Sequence, residues 1–207
     1  MKYKLALFDV DSTLTTTEAI DLLASHSEHG EKVAAITERA MQGEIGFDEA
    51  LIERVGLLAG LEVTIFNDVL QRTLFSSGAK QLVQTLQERG MKVGAVSGGF
   101  IEIVAPLFHD WNFDFLRANR LEYRAGKLTG KIAGDIINRS AKAQALEEFA
   151  AQFAIPLNQT IAIGDGSNDI EMIELAALGI SYRGKPALKE RADLHVETMA
   201  EIEEHLN

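Results

Sequence analysis

No cysteine occurs among the 207 residues. Disulfides, thiolate catalysis and Cys-ligated metals are therefore excluded. Positive charge is in deficit: 20 Lys and Arg stand against 31 Asp and Glu, for a formal charge of −11. An acidic surface repels phosphodiester backbones, so no nucleic-acid partner is expected. The one basic cluster, Arg183, Lys185, Lys189 and Arg191, is interrupted by Glu190 and Asp193 and reads as a solvated helix face. No stretch approaches the roughly 18 apolar residues of a membrane span. The first apolar run is too short for a secretory leader and leads straight into acidic residues. A soluble, cytoplasmic protein without membrane contact is the expectation. Proline is scarce, at 3 residues, and no internal repeat or low-complexity segment is visible.

What is present suits a folded domain. At 46% hydrophobic the chain can bury a proper core, as one domain or one domain with an insertion. Leu5–Val10, Met91–Ser97, Thr160–Gly164, Leu178–Tyr182 and Leu194–Val196 read as strands. Helical patterns separate most of them: Gly78–Arg89, Phe100–Phe108, Ala141–Phe153 and Ile170–Ala177. Such alternation predicts an α/β fold, a Rossmann-like parallel sheet covered by helices. The region from 15 to 75 breaks the pattern. It reads as helices only: Glu18–Ser27, Glu31–Gln42, Phe47–Leu58 and Val63–Thr73. The expected organisation is a discontinuous core, 1–14 and 76–207, with an inserted helical cap, 15–75, over the carboxyl end of the first strand. Arg120–Gly134 alternates and turns at Ala125-Gly126, which predicts a small β-hairpin.

Polar clusters follow the predicted strands. The first strand runs into Asp9-Val10-Asp11-Ser12-Thr13. Two carboxylates at a strand's carboxyl end offer a nucleophile and a proton donor, or a pair of metal ligands, or simply a solvated turn. Like charges about 4 Å apart repel by roughly 4 kcal/mol at an intermediate dielectric, so such a pair wants a cation, a proton or both. Hard oxygen ligands favour Mg²⁺ over Zn²⁺. After the second strand comes Ser97-Gly98-Gly99, read as a tight strand–helix turn whose free N–H groups suit an anion. The third strand ends in Gly164-Asp165-Gly166-Ser167-Asn168-Asp169. It lacks the third glycine of a dinucleotide fingerprint and the downstream spacing of an EF-hand. Asn168 or Asp169 can cap the next helix, and Asp165 can add a metal ligand. Lys142, early in an amphipathic helix, is by itself an ordinary surface residue, although a phosphate site rich in carboxylates needs a fixed cation.

Together these four pieces resemble the haloacid dehalogenase superfamily of phosphatases, across the whole chain. Asp9 through Thr13 is similar to its D-x-D-x-T motif, Ser97 to its second-motif Ser/Thr, Lys142 to its lysine, and Gly164 through Asp169 to its G-D-x-x-N-D motif. Glu18, the run Ala40 through Phe47, Arg54-Val55 and Gly184 through Asp193 resemble the phosphoserine phosphatase branch. The resemblance implies that Asp9 attacks phosphorus and that Asp11 is the proton donor and later the base. Asp9, Asp165 and the Asp11 main-chain carbonyl would bind Mg²⁺. Ser97, Gly98 and Lys142 would hold the phosphoryl oxygens. Asn168 would orient substrate or a ligand, and Asp169 would steady Lys142 or a metal-bound water. Glu18 would hold a substrate ammonium, Arg54 would clamp its carboxylate, and Met41 and Phe47 would wall out water. The implied partner is a small phosphorylated metabolite, phosphoserine first. Other esters, or phosphotransfer to an alcohol such as homoserine, remain open with the same chemistry. A receiver-type phospho-Asp signalling domain is the alternative of a different class. The D-x-D spacing and the long insertion argue against it.

Overall fold

The computed structural model describes residues 2–41 and 44–206, and of Met41 the backbone alone. Among the described residues the strands are, in chain order, β1 Leu5–Asp9, β2 Lys92–Phe100, β3 Phe115–Asn119, β4 Leu121–Arg124, β5 Lys127–Ile132, β6 Thr160–Gly164, β7 Leu178–Tyr182 and β8 Leu194–Val196. The helices are α1 Ala19–Ala24, α2 Gly30–Met41, α3 Phe47–Gly56, α4 Phe66–Arg72, α5 Ala79–Glu88, α6 Ile101–Leu107, α7 Arg139–Gln152, α8 Ile170–Leu175, α9 Pro186–Lys189 and α10 Met199–His205.

Six strands form one sheet in the order β3-β2-β1-β6-β7-β8, and every pair in it is parallel. β1 is buried along its whole length, which explains its unbroken apolar run, since helices cover both faces of a parallel sheet. Its alternate residues feed two cores. Ala6 and Phe8 join Leu82 and Leu86 of α5, Val104 of α6 and Ile202 of α10. Leu5 and Leu7 join Leu146 and Phe149 of α7, Ile173 of α8 and Leu188 of α9. Burying one such side chain is worth about 1.5–3 kcal/mol, so the two layers fix the sheet firmly. The chain winds outward from β1 through β2 to β3, then restarts beside β1 with β6. That reversal leaves a crevice beyond the carboxyl ends of β1 and β6.

Between β1 and β2 the chain makes its helical excursion, α1 to α4. Leu23, Val33, Leu51, Leu58 and Val69 converge on a third core together with Phe100, Ile103, Leu121 and Leu128. The chain leaves and returns side by side. Thr16 N–H donates to the Leu74 carbonyl and Ser76 N–H to the Leu14 carbonyl, each at 2.9 Å, around an antiparallel bridge of Thr15 with Phe75. The excursion is also tied to the β4–β5 hairpin. Gly60 N–H donates to the Leu128 carbonyl at 2.8 Å, and Val63 N–H to the Gly126 carbonyl at 2.9 Å. No helix among the described residues is long and apolar enough to cross a membrane.

Several elements depart from the sequence reading. Ser97-Gly98-Gly99 does not open a helix: β2 continues to Phe100 and α6 begins at Ile101, with a register shift against β3 between Ser97 and Phe100. Glycine is a weak strand former, and Gly98 and Gly99 fall inside that shift, unpaired with β1 or β3 and held instead by the Asn119 side chain on the Gly98 carbonyl and by Ser97 Oγ on the Gly99 N–H. The reading Val63–Thr73 breaks into a single 3-10 turn, Val63–Ile65, followed by α4. β3 and α10 have no counterpart in the sequence reading, whereas α9 falls in the basic stretch read as a helix face. β3 is an edge strand, and only Asn119 in it is fully buried, so it lacks a clean apolar signal. The hairpin turns at Ala125 and Gly126 with φ of 48° and 79°, the left-handed pair a two-residue turn requires.

Candidate active site

The segment after β1 makes a wide turn closed by Thr15 N–H to the Val10 carbonyl at 3.0 Å, with Ser12 at φ 60°. The turn leaves both Asp9 and Asp11 on the wall of a cavity of about 220 Å³ at the end of the sheet. Gly98 and Gly99 from β2, and Asp165, Ser167 and Asn168 from the loop after β6, share that wall. Glu18, Thr37, Phe47, Leu51 and Arg54 face it from the helical excursion.

Behind the wall lies a buried polar network. Lys142 is fully buried and donates to Asp9 Oδ1 and, at 2.6 Å, to Asp169 Oδ1. Asn138 caps α7 by accepting from Ala141 N–H at 3.2 Å, which fixes the first turn that carries Lys142. Asp169 Oδ2 accepts the N–H groups of Asp165 and Gly166 at 3.1 and 3.0 Å. Asp169 thus spends its carboxylate on Lys142 and on shaping the loop.

Charge in this network does not balance. Carboxylate oxygens of Asp9, Asp165 and Asp169 lie within 4.8 Å of one another, and the buried ammonium of Lys142 pairs with Asp9 and Asp169 but not with Asp165. Burial, then Asp169, pushes the Asp165 carboxyl up to about 7. Burial, then Asp169, also raises Asp9 well above the usual range. Burial alone would lower Lys142, but Asp169 and Asp9 more than offset it and keep it charged. Asp165 makes no described side-chain hydrogen bond and faces the cavity. The cluster has the electrostatics of a site for a cation.

Asp11 is held differently. Its Oδ1 accepts Ala19 N–H at 3.0 Å and its Oδ2 accepts the Ser97 hydroxyl at 2.9 Å. Ser97 Oγ in turn accepts Gly99 N–H at 2.8 Å. The position of Gly99 explains its size: a Cβ there would sit 2.7 Å from Asp11 Oδ2 and 3.0 Å from Ser97 Oγ. Gly99→Ala is expected to displace the Asp11 carboxylate and lower kcat by about 10²-fold. Steady-state kinetics beside a thermal melt checks this, because kcat should fall far more than Tm.

Across the cavity, Arg54 is buried at 7% exposure. Its Nε donates to the Ala50 carbonyl and its Nη1 to Thr37 Oγ1, each at 3.2 Å. Glu18 Oε2 lies 3.9 Å from Nη1. Burial, then Asp11, raises the Glu18 carboxyl above its usual value. Phe47 Cζ would lie 3.2 Å from a Cβ on Gly98, so its ring rests on the β2 backbone.

The sequence candidates therefore fall into two groups. Asp9, Asp11, Glu18, Phe47, Arg54, Gly98, Asp165 and Asn168 border the cavity, whereas Ser97, Lys142 and Asp169 stand behind it. The side chain of Met41 lies outside the described residues. Three residues escaped the sequence reading. Lys185, assigned to a solvated face, lines the cavity instead, and its N–H donates to the Asp165 carbonyl at 2.9 Å. Thr37 lines the cavity from the middle of α2. Asn119 donates to the Gly98 carbonyl at 2.8 Å and accepts Ile137 N–H at 2.7 Å, tying β2 to the segment before α7. A polar residue ending an edge strand was the available signal for Asn119, Lys185 had only its place in the run Gly184 through Asp193, and Thr37 offered none.

The fold and the strand-end carboxylates define a member of a hydrolase family: the model of the haloacid dehalogenase-like hydrolases matches residues 6–174, and the chain belongs to that family. Among particular relatives, the phosphoserine phosphatase of Streptococcus thermophilus is 47% identical over 192 residues, covering 93% of this chain and 89% of the relative. Phosphoserine phosphatase SerB2 of Mycobacterium tuberculosis is 47% identical over 190 residues, covering 92% of this chain. This chain spans only 46% of that relative's length. A solved structure described as a phospho-aspartyl intermediate analogue of phosphoserine phosphatase superposes with a TM-score of 0.93 at 39% identity, covering 99% of both chains.

Proposed function

We propose that the protein hydrolyses O-phospho-L-serine to serine and phosphate through a phosphoaspartate on Asp9. The observation that carries this reading is one cavity bordered both by Asp9, Asp11 and Asp165 and by Glu18 and Arg54. The first set suits phosphoryl transfer, and the second suits an amino acid. Relatives named phosphoserine phosphatase at 47% identity support the substrate. The reaction would be the last step of serine biosynthesis, in the cytoplasm.

A carboxylate oxygen of Asp9 attacks phosphorus, and the bond from phosphorus to the serine oxygen breaks. Asp11 gives its proton to the departing oxygen. Water then attacks the phosphoaspartate, Asp11 takes a proton from it, and the bond from phosphorus to Asp9 breaks to release phosphate. Lys142, Ser97 and the Gly98 N–H hold phosphoryl oxygens. Asn168 orients the substrate, and Asp169 keeps Lys142 in place. Residues 15–75 act as a cap on a core of 1–14 and 76–207, closing on hinges near Thr15–Thr17 and Ser76–Gly78 to expel water.

The donor set fits a divalent cation of the Mg²⁺ type: hard oxygens, an Asp165 carboxylate without described hydrogen bonds, and three clustered carboxylates of which Lys142 pairs with only two. Asp9, Asp165 and the Asp11 carbonyl would hold it. When bound, the ion neutralises charge on the phosphoryl group in transfer.

The test is Mg²⁺-dependent phosphate release from phosphoserine, phosphothreonine, homoserine phosphate and sugar phosphates. Phosphoserine should give the highest kcat/KM. Strong turnover of another ester with none of phosphoserine contradicts the assignment. Glu18→Gln supplies a further check. A carboxylate that must be ionised to hold an ammonium loses its grip as pH falls through its pKa, and the Glu18 pKa is raised. KM of the native enzyme should therefore rise on acidification sooner than an ordinary Glu would make it. In Glu18→Gln, KM at neutral pH should be about tenfold higher, and its acid-side rise flatter.

A further inference from the structure

We propose that Thr37 is the positioning residue that aims Arg54 at the substrate carboxylate. The inference rests on the phosphoserine reading and goes beyond it, naming how the selective cation is oriented. Arg54 arrives from α3 and Thr37 from α2, 17 residues apart in sequence, and both border the cavity.

Thr37 sits mid-helix, where a threonine hydroxyl commonly turns back on its own backbone. Here Oγ1 donates to the Val33 carbonyl at 3.1 Å. That bond commits the hydroxyl hydrogen, so towards Arg54 the oxygen can only accept. It accepts Nη1 at 3.2 Å. The second restraint on the guanidinium is the bond from Nε to the Ala50 carbonyl at 3.2 Å, one turn back along α3. Two fixed acceptors on two helices remove the rotational freedom of a planar group. The remaining N–H groups have no described hydrogen-bond acceptor within the protein. The nearest carboxylate, Glu18, stands 3.9 Å from Nη1. A buried guanidinium with unspent donors on a cavity wall suits a planar anion taken by two parallel hydrogen bonds. Ala50 supplies a main-chain atom and cannot be changed by substitution. Thr37 is therefore the side chain through which the sequence sets the aim.

The chemistry dictates the variants. Thr37→Val keeps the shape and the branched β-carbon but removes the acceptor. Thr37→Ser keeps the hydroxyl and both of its bonds. The substrates are phosphoserine and phosphoethanolamine, which shares the ammonium and phosphate but lacks the carboxylate. Thr37→Val should raise KM for phosphoserine about tenfold with little change in kcat. The preference for phosphoserine over phosphoethanolamine, as a ratio of kcat/KM, should fall by the same factor. Thr37→Ser should restore both to within about twofold. Equal losses on both esters, a fall confined to kcat, or no rescue by serine would overturn the inference. Arg54→Ala separates the two levels. If it removes the preference while Thr37→Val leaves it intact, the role of Thr37 fails and the phosphoserine reading stands. If Arg54→Ala itself leaves the preference intact, carboxylate recognition at Arg54 fails and the inference about Thr37 with it.

Discussion

Asp9→Asn is expected to remove turnover of phosphoserine, lowering kcat by roughly 10⁴-fold or more, while the fold stays at least as stable. The two effects separate for a physical reason. The amide oxygen of Asn can still accept from Lys142, which keeps its second bond to Asp169. What disappears is one of three carboxylates crowded within 4.8 Å, the one whose own ionised form is opposed by burial first and then by Asp169. The amide is a poor nucleophile and cannot form the acyl phosphate. Steady-state kinetics and thermal melts on one preparation check both halves. Turnover within tenfold of native would contradict the nucleophile assignment. Loss of activity only in step with loss of folded protein would make Asp9 structural.

Lys142→Met should do the opposite on stability. The side chain is fully buried and paired with two buried carboxylates. Deleting it leaves Asp9 and Asp169 without a counter-charge, and removing one partner of a buried pair costs about 3–5 kcal/mol. Asp169 also holds the N–H groups of Asp165 and Gly166, so the loop after β6 should loosen with it. Denaturant unfolding measures the cost, and phosphate release measures the accompanying fall in kcat. A change in stability below about 1 kcal/mol would show that the network tolerates the missing ammonium.

Features encoded locally were legible in the sequence. β1, β6, β7 and β8 lie where their apolar runs fall, to within one residue, because buried strands announce themselves without help from distant contacts. The α/β class followed from their alternation with helices. The acidic and glycine clusters at β1, β2 and β6 stood out because chemistry at strand ends leaves unusual residues in short windows. Features created by long-range pairing were not legible. Gly98 and Gly99 look like a turn and lie within β2 as an unpaired irregularity, carried along because Phe100 beyond them pairs again with Asn119 of β3. Phe115–Asn119 carries no alternation and is a strand only through its pairing with β2. Lys185 resembles its solvated neighbours until the loop after β7 folds back onto Asp165. Thr37 is an ordinary helical threonine until α3 brings Arg54 against it. In each case the missing information was the identity of a partner far away in the chain.

Phosphate is expected to pass through a covalent bond to Asp9. That step is tested most directly by acid-quenching the enzyme during turnover of radiophosphate-labelled phosphoserine and locating the label by peptide mapping. One labelled peptide is expected, containing Asp9, whose label is released by mild base or hydroxylamine as an acyl phosphate requires. Label on another residue, or turnover at full rate with no label retained on the protein at any quench time, would contradict it.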